Sequence, residues 1–239
     1  MWLALETATD RASVAVGRTA ADAVEESLTG ARRHAGALLP MIQAALRRRG
    51  IGLDAITGLI VSDGPGSFTG LRVGATAAKA LARARGLPLR TAPSLLARAA
   101  GVAGRPASLV LAVSDALRGE VYAGAFRLGE RSVVTELEPR VWRPDSLAAL
   151  GLGPDVLVGD VPTAAREVLE RATGLTMIMP PEGAPRARAL IALAGLENGA
   201  REVHDVSEWE PFYGRPAEAQ ARWEVAHGRP LPDPTGGAR

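Results

Sequence analysis

The period of apolar and polar positions changes along the chain, and those changes mark out its elements. Residues 2–7 (WLALET) and 11–17 (RASVAVG) are short apolar runs separated by Thr9-Asp10, which predicts two strands joined by a turn. Residues 21–29 (ADAVEESLT) predict a third strand, wet on one side, and with it an antiparallel meander. The spacing over residues 34–50 is helical and closes on Arg47-Arg48-Arg49 and Gly50, a C-terminal signature. A buried strand at 56–64, a helix at about 70–86, a strand at 87–92 and a short helix at 93–101 complete this half.

After GVAGRPA (101–107) the order returns. Strands are predicted at 108–115, 121–128 and 133–142, a helix at 144–150, a strand at 155–160, and helices at 161–174 and 185–199. Two successive units of strands followed by helices predict a duplicated α/β architecture, each unit a mixed sheet flanked by helices. The expected division is an N-terminal domain over 1–101 and a C-terminal domain over 102–200, with helix 185–199 returning onto the first. Residues 201–239 are expected as an extended, partly disordered tail, disordered over 228–239 because proline, glycine and charge dominate there.

Composition narrows the chemistry. The 239 residues are 47% hydrophobic but only 4% aromatic, so the core must come from Ala, Val, Leu and Ile. The net charge is +2, and Lys79 is the only lysine. Arginines therefore keep the isoelectric point near 9.6 without making the chain a strong polycation. With no cysteine, disulfides, thiolate metal sites and a Cys nucleophile are excluded. Glu6 and Asp10 interrupt the run a signal peptide would need, and no segment is apolar for about 18 residues. A soluble cytoplasmic protein without membrane contact is expected.

Residues 63–86 (DGPGSFTGLRVGATAAKALARARG) look like a phosphate loop feeding a helix. The spacing denies it. Gly64 and Gly70 are one residue too far apart for G-x-x-x-x-G-K-[ST], and Leu71-Arg72 replaces Lys-Ser/Thr. Gly66 and Gly70 are likewise one residue too far apart for G-x-G-x-x-G. Thr69 is expected as the N-cap, with Gly70 opening the helix. Arg72 then sits against the helix dipole, so it answers either to an external acid or phosphate or simply to water. Gly70, Gly74, Ala78 and Ala82 recur every four residues, a small stripe that admits another backbone. On this reading Gly74→Leu would abolish partner binding and leave the fold intact. Arg72, Thr76, Lys79 and Arg83 form a basic stripe, and the preceding helix carries surplus apolar faces through Leu38, Met41 and Ala44. Two such helices suggest a protein interface, the alternative being that the domain covers both faces itself.

Four stretches together resemble the TsaB family: LETATDRASVAV (5–16), RRHAGALLPMIQAAL (32–46), DGPGSFTGLRVGATAAKALA (63–82) and SDALRGEVYAGAF (114–126). The resemblance runs in order across most of residues 1–216. It implies two domains of duplicated ribonuclease H-like topology, the actin-like, Hsp70 and sugar-kinase ATPase fold. It also implies a non-catalytic partner of TsaD, which transfers threonylcarbamoyl to adenosine 37 of ANN-reading tRNAs, with TsaE binding the assembled pair. tRNA is then met indirectly, and a homodimer is expected when the chain is alone. Expected interface residues are His34, Leu38, Met41, Ala44, Phe68, Gly70, Arg72, Gly74, Thr76, Ala78 and Lys79. Catalytic, cofactor and metal residues are expected to be none. Active members of this fold open with Asp-x-Gly-Thr, where this chain has Glu6-Thr7-Ala8-Thr9. Their second phosphate loop is replaced by Asp115-Ala116-Leu117-Arg118-Gly119, and their adenosine-binding glycine pair by Gly159-Asp160. Of the catalytic partner's paired histidines only His34 has a counterpart. An independent ATPase or sugar-kinase-like enzyme, and a homodimeric interaction module, stand as the alternatives.

Overall fold

The apolar alternation of the first strands is satisfied on both faces. In the computed structural model, which describes residues 1–30, 34–104, 106–214 and 227, β1 (Trp2–Glu6) pairs antiparallel with β2 (Arg11–Gly17). Strand β3 (Val24–Thr29) extends the meander antiparallel to β2. On the other side of β1, β4 (Gly58–Ser62) and β5 (Leu89–Ala92) run parallel to it, and β10 (Arg201–Glu202) adds an antiparallel edge. The sheet order is β10-β5-β4-β1-β2-β3. Parallel strands need covered crossovers. Helices α1 (His34–Arg49) and α2 (Phe68–Arg85) supply them on one face, burying Leu3, Leu5, Val14 and Val16 with Leu38, Met41 and Ala78.

The second sheet repeats the first. Strands β6 (Ser108–Asp115), β7 (Val121–Leu128) and β8 (Val133–Trp142) form an antiparallel meander, and β9 (Val156–Asp160) pairs parallel with β6, giving the order β8-β7-β6-β9. It matches β3-β2-β1-β4, and a parallel bridge from Val158 to Ile178 stands where β5 would follow. Two mixed sheets of one topology, each flanked by helices, make this the duplicated ribonuclease H-like fold of the actin-like ATPases. Between the sheets lie α3 (Ser94–Val102) and α6 (Ala187–Ala194), sharing one core with Ala4, Ala15, Ile60, Val110 and Phe126. Helices α4 (Pro144–Ala148) and α5 (Thr163–Thr173) cover the far face of the second sheet with Leu147 and Leu169.

The ends of two helices and the course of the tail bear on the site. Helix α2 begins at Phe68, and its cap is Ser67, whose hydroxyl accepts the Gly70 amide at 3.2 Å; Thr69 lies inside the helix. Helix α6 stops at Ala194, because Asn198 turns with a φ of 58° and Gly199 closes on the Leu193 carbonyl. Residues 201–214 of the expected tail run across the first sheet and α2, with the Phe212 amide on the Asp63 carbonyl at 2.6 Å. The expected disorder over 228–239 lies outside the described residues.

The glycines of GPGSFTG serve the chain's own backbone. A Cβ at Gly66 would overlap the Ala8 carbonyl, one at Gly70 the Thr7 carbonyl, and one at Gly64 the Phe212 carbonyl. The Ser67 amide meets the Ala8 carbonyl at 2.7 Å. A Gly70→Ala variant is therefore expected to lose about 1–3 kcal/mol of stability through backbone overlap, read as a lower denaturant midpoint at unchanged slope.

Candidate functional site

Helix α1 buries His34, Leu38, Met41, Ile42, Ala45 and Leu46, and α2 buries Gly70, Leu71, Gly74, Ala75, Ala78 and Ala82. Both stripes face the sheet. What remains between the helices is an open groove of about 770 Å³. Its walls are Ala35 and Leu39 of α1 with Phe68, Thr69, Val73, Thr76, Ala77, Ala80, Leu81 and Ala84 of α2, and among the described residues Arg72 is its one charged residue. Leu39 is 58% exposed and Phe68 39%, unusual for large apolar side chains on one continuous strip.

The structure divides the expected interface residues. Phe68, Arg72 and Thr76 meet on the groove, Leu38 forms part of its floor, and Ala44 is half-buried on α1. His34, Met41, Gly70, Gly74 and Ala78 lie away from the groove, buried within the fold. The His34 Nε2 lies 3.1 Å from the Asp10 carbonyl. A Cβ at Gly74 meets the Thr7 hydroxyl and Val61 of the same chain, so the backbone admitted by the small stripe is that of β1, and Gly74→Leu would strike the fold itself. The groove is also lined by Leu39, Thr69, Val73, Ala77, Ala80 and Ala84, which the sequence did not single out as interface residues. The signal was a second small-residue face on α2, at 69, 73, 76–77, 80 and 84, displaced from the glycine face.

Arg72 and Lys79 also find partners. The Arg72 guanidinium stacks over Phe68 at 5.4 Å. Lys79 pairs with Glu210 at 2.7 Å and lies 5.7 Å from the Trp209 ring centroid. Its hydrogen bond holds the Glu210 carboxyl below the usual carboxylate range. Tyr213 packs on Phe68 with ring centroids 4.7 Å apart, and Tyr122 of the second sheet donates to the Tyr213 carbonyl at 3.4 Å. Residues 205–214 thus strap the rim of the groove to the second sheet.

Beside the groove, a cleft of about 880 Å³ opens between the sheets, its walls including Thr9, Asp10, Ser67, Phe68, Asp115 and Asp160. Strand β1 ends there in Glu6, which is fully buried, with the Ala8 amide donating to Oε1 at 2.7 Å and Oε2 left without a partner. Burial pushes its carboxyl up to about 7. Arg98 of α3 is 1% exposed on the cleft floor and donates to the Gly183 carbonyl at 2.6 Å. Burial lowers its guanidinium to about 10, opposed by the charges of Asp160 and Glu6. Asp63 at the end of β4 is also raised by burial, although Arg201 pairs with it at 2.7 Å. Among the described residues no cluster of His, Asp and Glu is close enough to hold a metal ion. No helix among them is long and apolar enough to cross a membrane.

A family model described as "TsaD: tRNA N6-adenosine threonylcarbamoyltransferase" matches residues 28–175. The tRNA threonylcarbamoyladenosine biosynthesis protein TsaB of Bacillus subtilis is 27% identical over 197 residues, spanning 80% of this chain and 84% of that protein. TsaB of Escherichia coli is 36% identical over 132 residues, which is 55% of this chain and 57% of that one. The solved structure of YeaZ from Pseudomonas aeruginosa superposes with a TM-score of 0.69 at 27% identity, covering 89% of this chain and 98% of that one. A second structure, an uncharacterized protein with similarity to peptidase YeaZ from Pseudomonas aeruginosa, gives 0.72 at 27% identity, covering 90% and 99%. The GPGSFTG turn, the duplicated sheets and these matches agree: the chain belongs to the TsaD family of tRNA N6-adenosine threonylcarbamoyltransferases, as one of its TsaB members.

Proposed function

We propose that this chain acts in the biosynthesis of threonylcarbamoyladenosine on tRNA as a non-catalytic cytoplasmic subunit that docks on TsaD. TsaD transfers threonylcarbamoyl to adenosine 37 of ANN-reading tRNAs, and TsaE engages the assembled pair. The observation that carries this reading is the α1–α2 groove, an apolar strip with a single charged residue on the face of an otherwise arginine-studded chain. Such a strip gains by losing water to another protein and offers little to a polar small molecule. In assembly the chain stabilises the competent state of TsaD, a coupling of about 1–3 kcal/mol being typical of such effects.

The cleft supports the absence of independent catalysis. Where active members of the fold place an ionised Asp and a glycine-lined backbone, this chain places a buried glutamic acid, the side chains of Thr7 and Ala8, and the Arg98 guanidinium. The Ala8 carbonyl is already bonded to the Ser67 amide. A metal ion would meet the Arg98 cation, and a phosphate would find the Ala8 and Ser67 amides already donating within the chain.

Ala80→Glu or Thr76→Glu, both at exposed groove positions, is expected to weaken TsaD binding at least about tenfold in calorimetric titration with no change in thermal stability. The same variants should fail to support t6A formation in a mixture of TsaD, TsaE and the threonylcarbamoyl-adenylate synthase. Undiminished binding would remove the groove as the docking face.

Glu6 gives a pH test. Its folded pKa of about 7 exceeds the ordinary glutamate value of 4.5, so the folded state holds the proton more tightly. Its contribution is complete below pH 4.5 and is lost as pH rises through 7, a change of about 3 kcal/mol. Glu6→Gln should therefore gain stability relative to the parent chain from pH 5 to 8 in paired urea titrations. It should leave reconstituted t6A formation unchanged, whereas a catalytic Glu6 would lose it.

A further inference from the structure

Phe68 borders two surfaces, the α1–α2 groove and the mouth of the cleft between the sheets. The turn joining β6 to β7 lines the same cleft, and there Leu117 and Arg118 have φ values of 62° and 56°. Left-handed conformations are disfavoured in non-glycine residues, so two in succession mark a turn held in place by its surroundings. The Asp115 carboxylate accepts the Leu117 amide at 2.7 Å, and the Glu120 amide closes on the Leu117 carbonyl at 3.0 Å. This fixed turn presents the Leu117 side chain 68% exposed, the most exposed large hydrophobic residue among those described. No described residue covers it.

Charge around the mouth is uneven. Asp115 is occupied with the Leu117 amide, Asp160 faces Arg98, and Asp10 is also engaged. Arg118 is exposed and forms no ion pair among the described residues, while Arg72 lies over Phe68. The cleft is therefore lined by two exposed apolar residues, Phe68 and Leu117, with Arg72 over the first and Arg118 next to the second. That combination fits an apolar side chain next to a carboxylate.

We propose that the footprint of TsaD does not end at the helices but crosses Phe68 to the Leu117–Arg118 turn of the second sheet. There a loop of TsaD seats an apolar side chain between Phe68 and Leu117 and sets a carboxylate on Arg118. The inference rests on the groove as the TsaD docking face and extends it to both sheets. A two-sheet footprint fixes the orientation of TsaD, which a helix groove alone leaves free to pivot.

The test uses the full chain and purified TsaD. Leu117→Gly suits the observed φ and deletes only the exposed side chain, so its melting temperature should hold or rise. Its affinity for TsaD should fall at least about tenfold. Arg118→Glu should lose affinity similarly and lose more of it at low salt. Ala80→Glu in the groove is the reference. If both turn variants bind within about twofold of the parent while Ala80→Glu does not bind, the footprint ends at the helices and the inference is overturned. If Ala80→Glu also binds normally, the groove reading fails and takes this one with it. A lower melting temperature for Leu117→Gly would show the side chain to be packed rather than presented, which overturns it equally.

Discussion

The fold depends on one close passage of backbone. The chain leaving β1 at Thr7 and Ala8 crosses the GPGSFTG turn with both carbonyls in the space that a side chain would take at Gly70 and Gly66. Without that passage α2 could not lie flat on β1 and β4, and the Ser67 amide could not reach the Ala8 carbonyl. The same turn receives the chain a second time, where Phe212 comes down on Gly64 and Asp63. A single short segment thus fixes the first helix layer, the floor of the cleft and the returning strap.

The interior between the sheets sets what the cleft can hold. Glu6 and Arg98 occupy it together, each shifted by burial toward its neutral form. A buried pair of this kind is weak as a source of stability, because desolvation offsets much of the attraction. Its effect is on the cleft floor, where Arg98 is the buried cation and Glu6 lies behind it, fully enclosed.

Much of the fold was legible in the sequence because period decides it. The strands at 11–17, 108–115, 121–128 and 133–142 occur at those positions, since alternation and turn residues bound them without competition. The helix expected over 185–199 was too long, because apolar spacing continued past Ala194 while Asn198 and Gly199 demanded a turn. The candidate site was less legible. A stripe of Gly70, Gly74 and Ala78 signals close approach equally well whether the neighbour is a partner or the chain's own sheet, and spacing carries no information on which. The strap was illegible for another reason. Its anchors, Arg201 on Asp63 and Glu210 on Lys79, join residues far apart in sequence, and no local period reports them.

For a groove that docks a partner as proposed, its alanines bear on the kinetics of assembly as well as on its affinity. Ala35, Ala77, Ala80 and Ala84 have no side-chain rotamers to freeze, and Val73 and Thr76 are stiff at χ1. The ordering penalty on covering such a face, about 0.5–1.5 kcal/mol for each rotamer-rich side chain, falls here on Leu39, Phe68, Arg72 and Leu81 and not on the alanines. Such a face is pre-shaped before contact. Association on it should approach the rate at which two rigid surfaces find their orientation, with differences among complexes residing in how slowly they part.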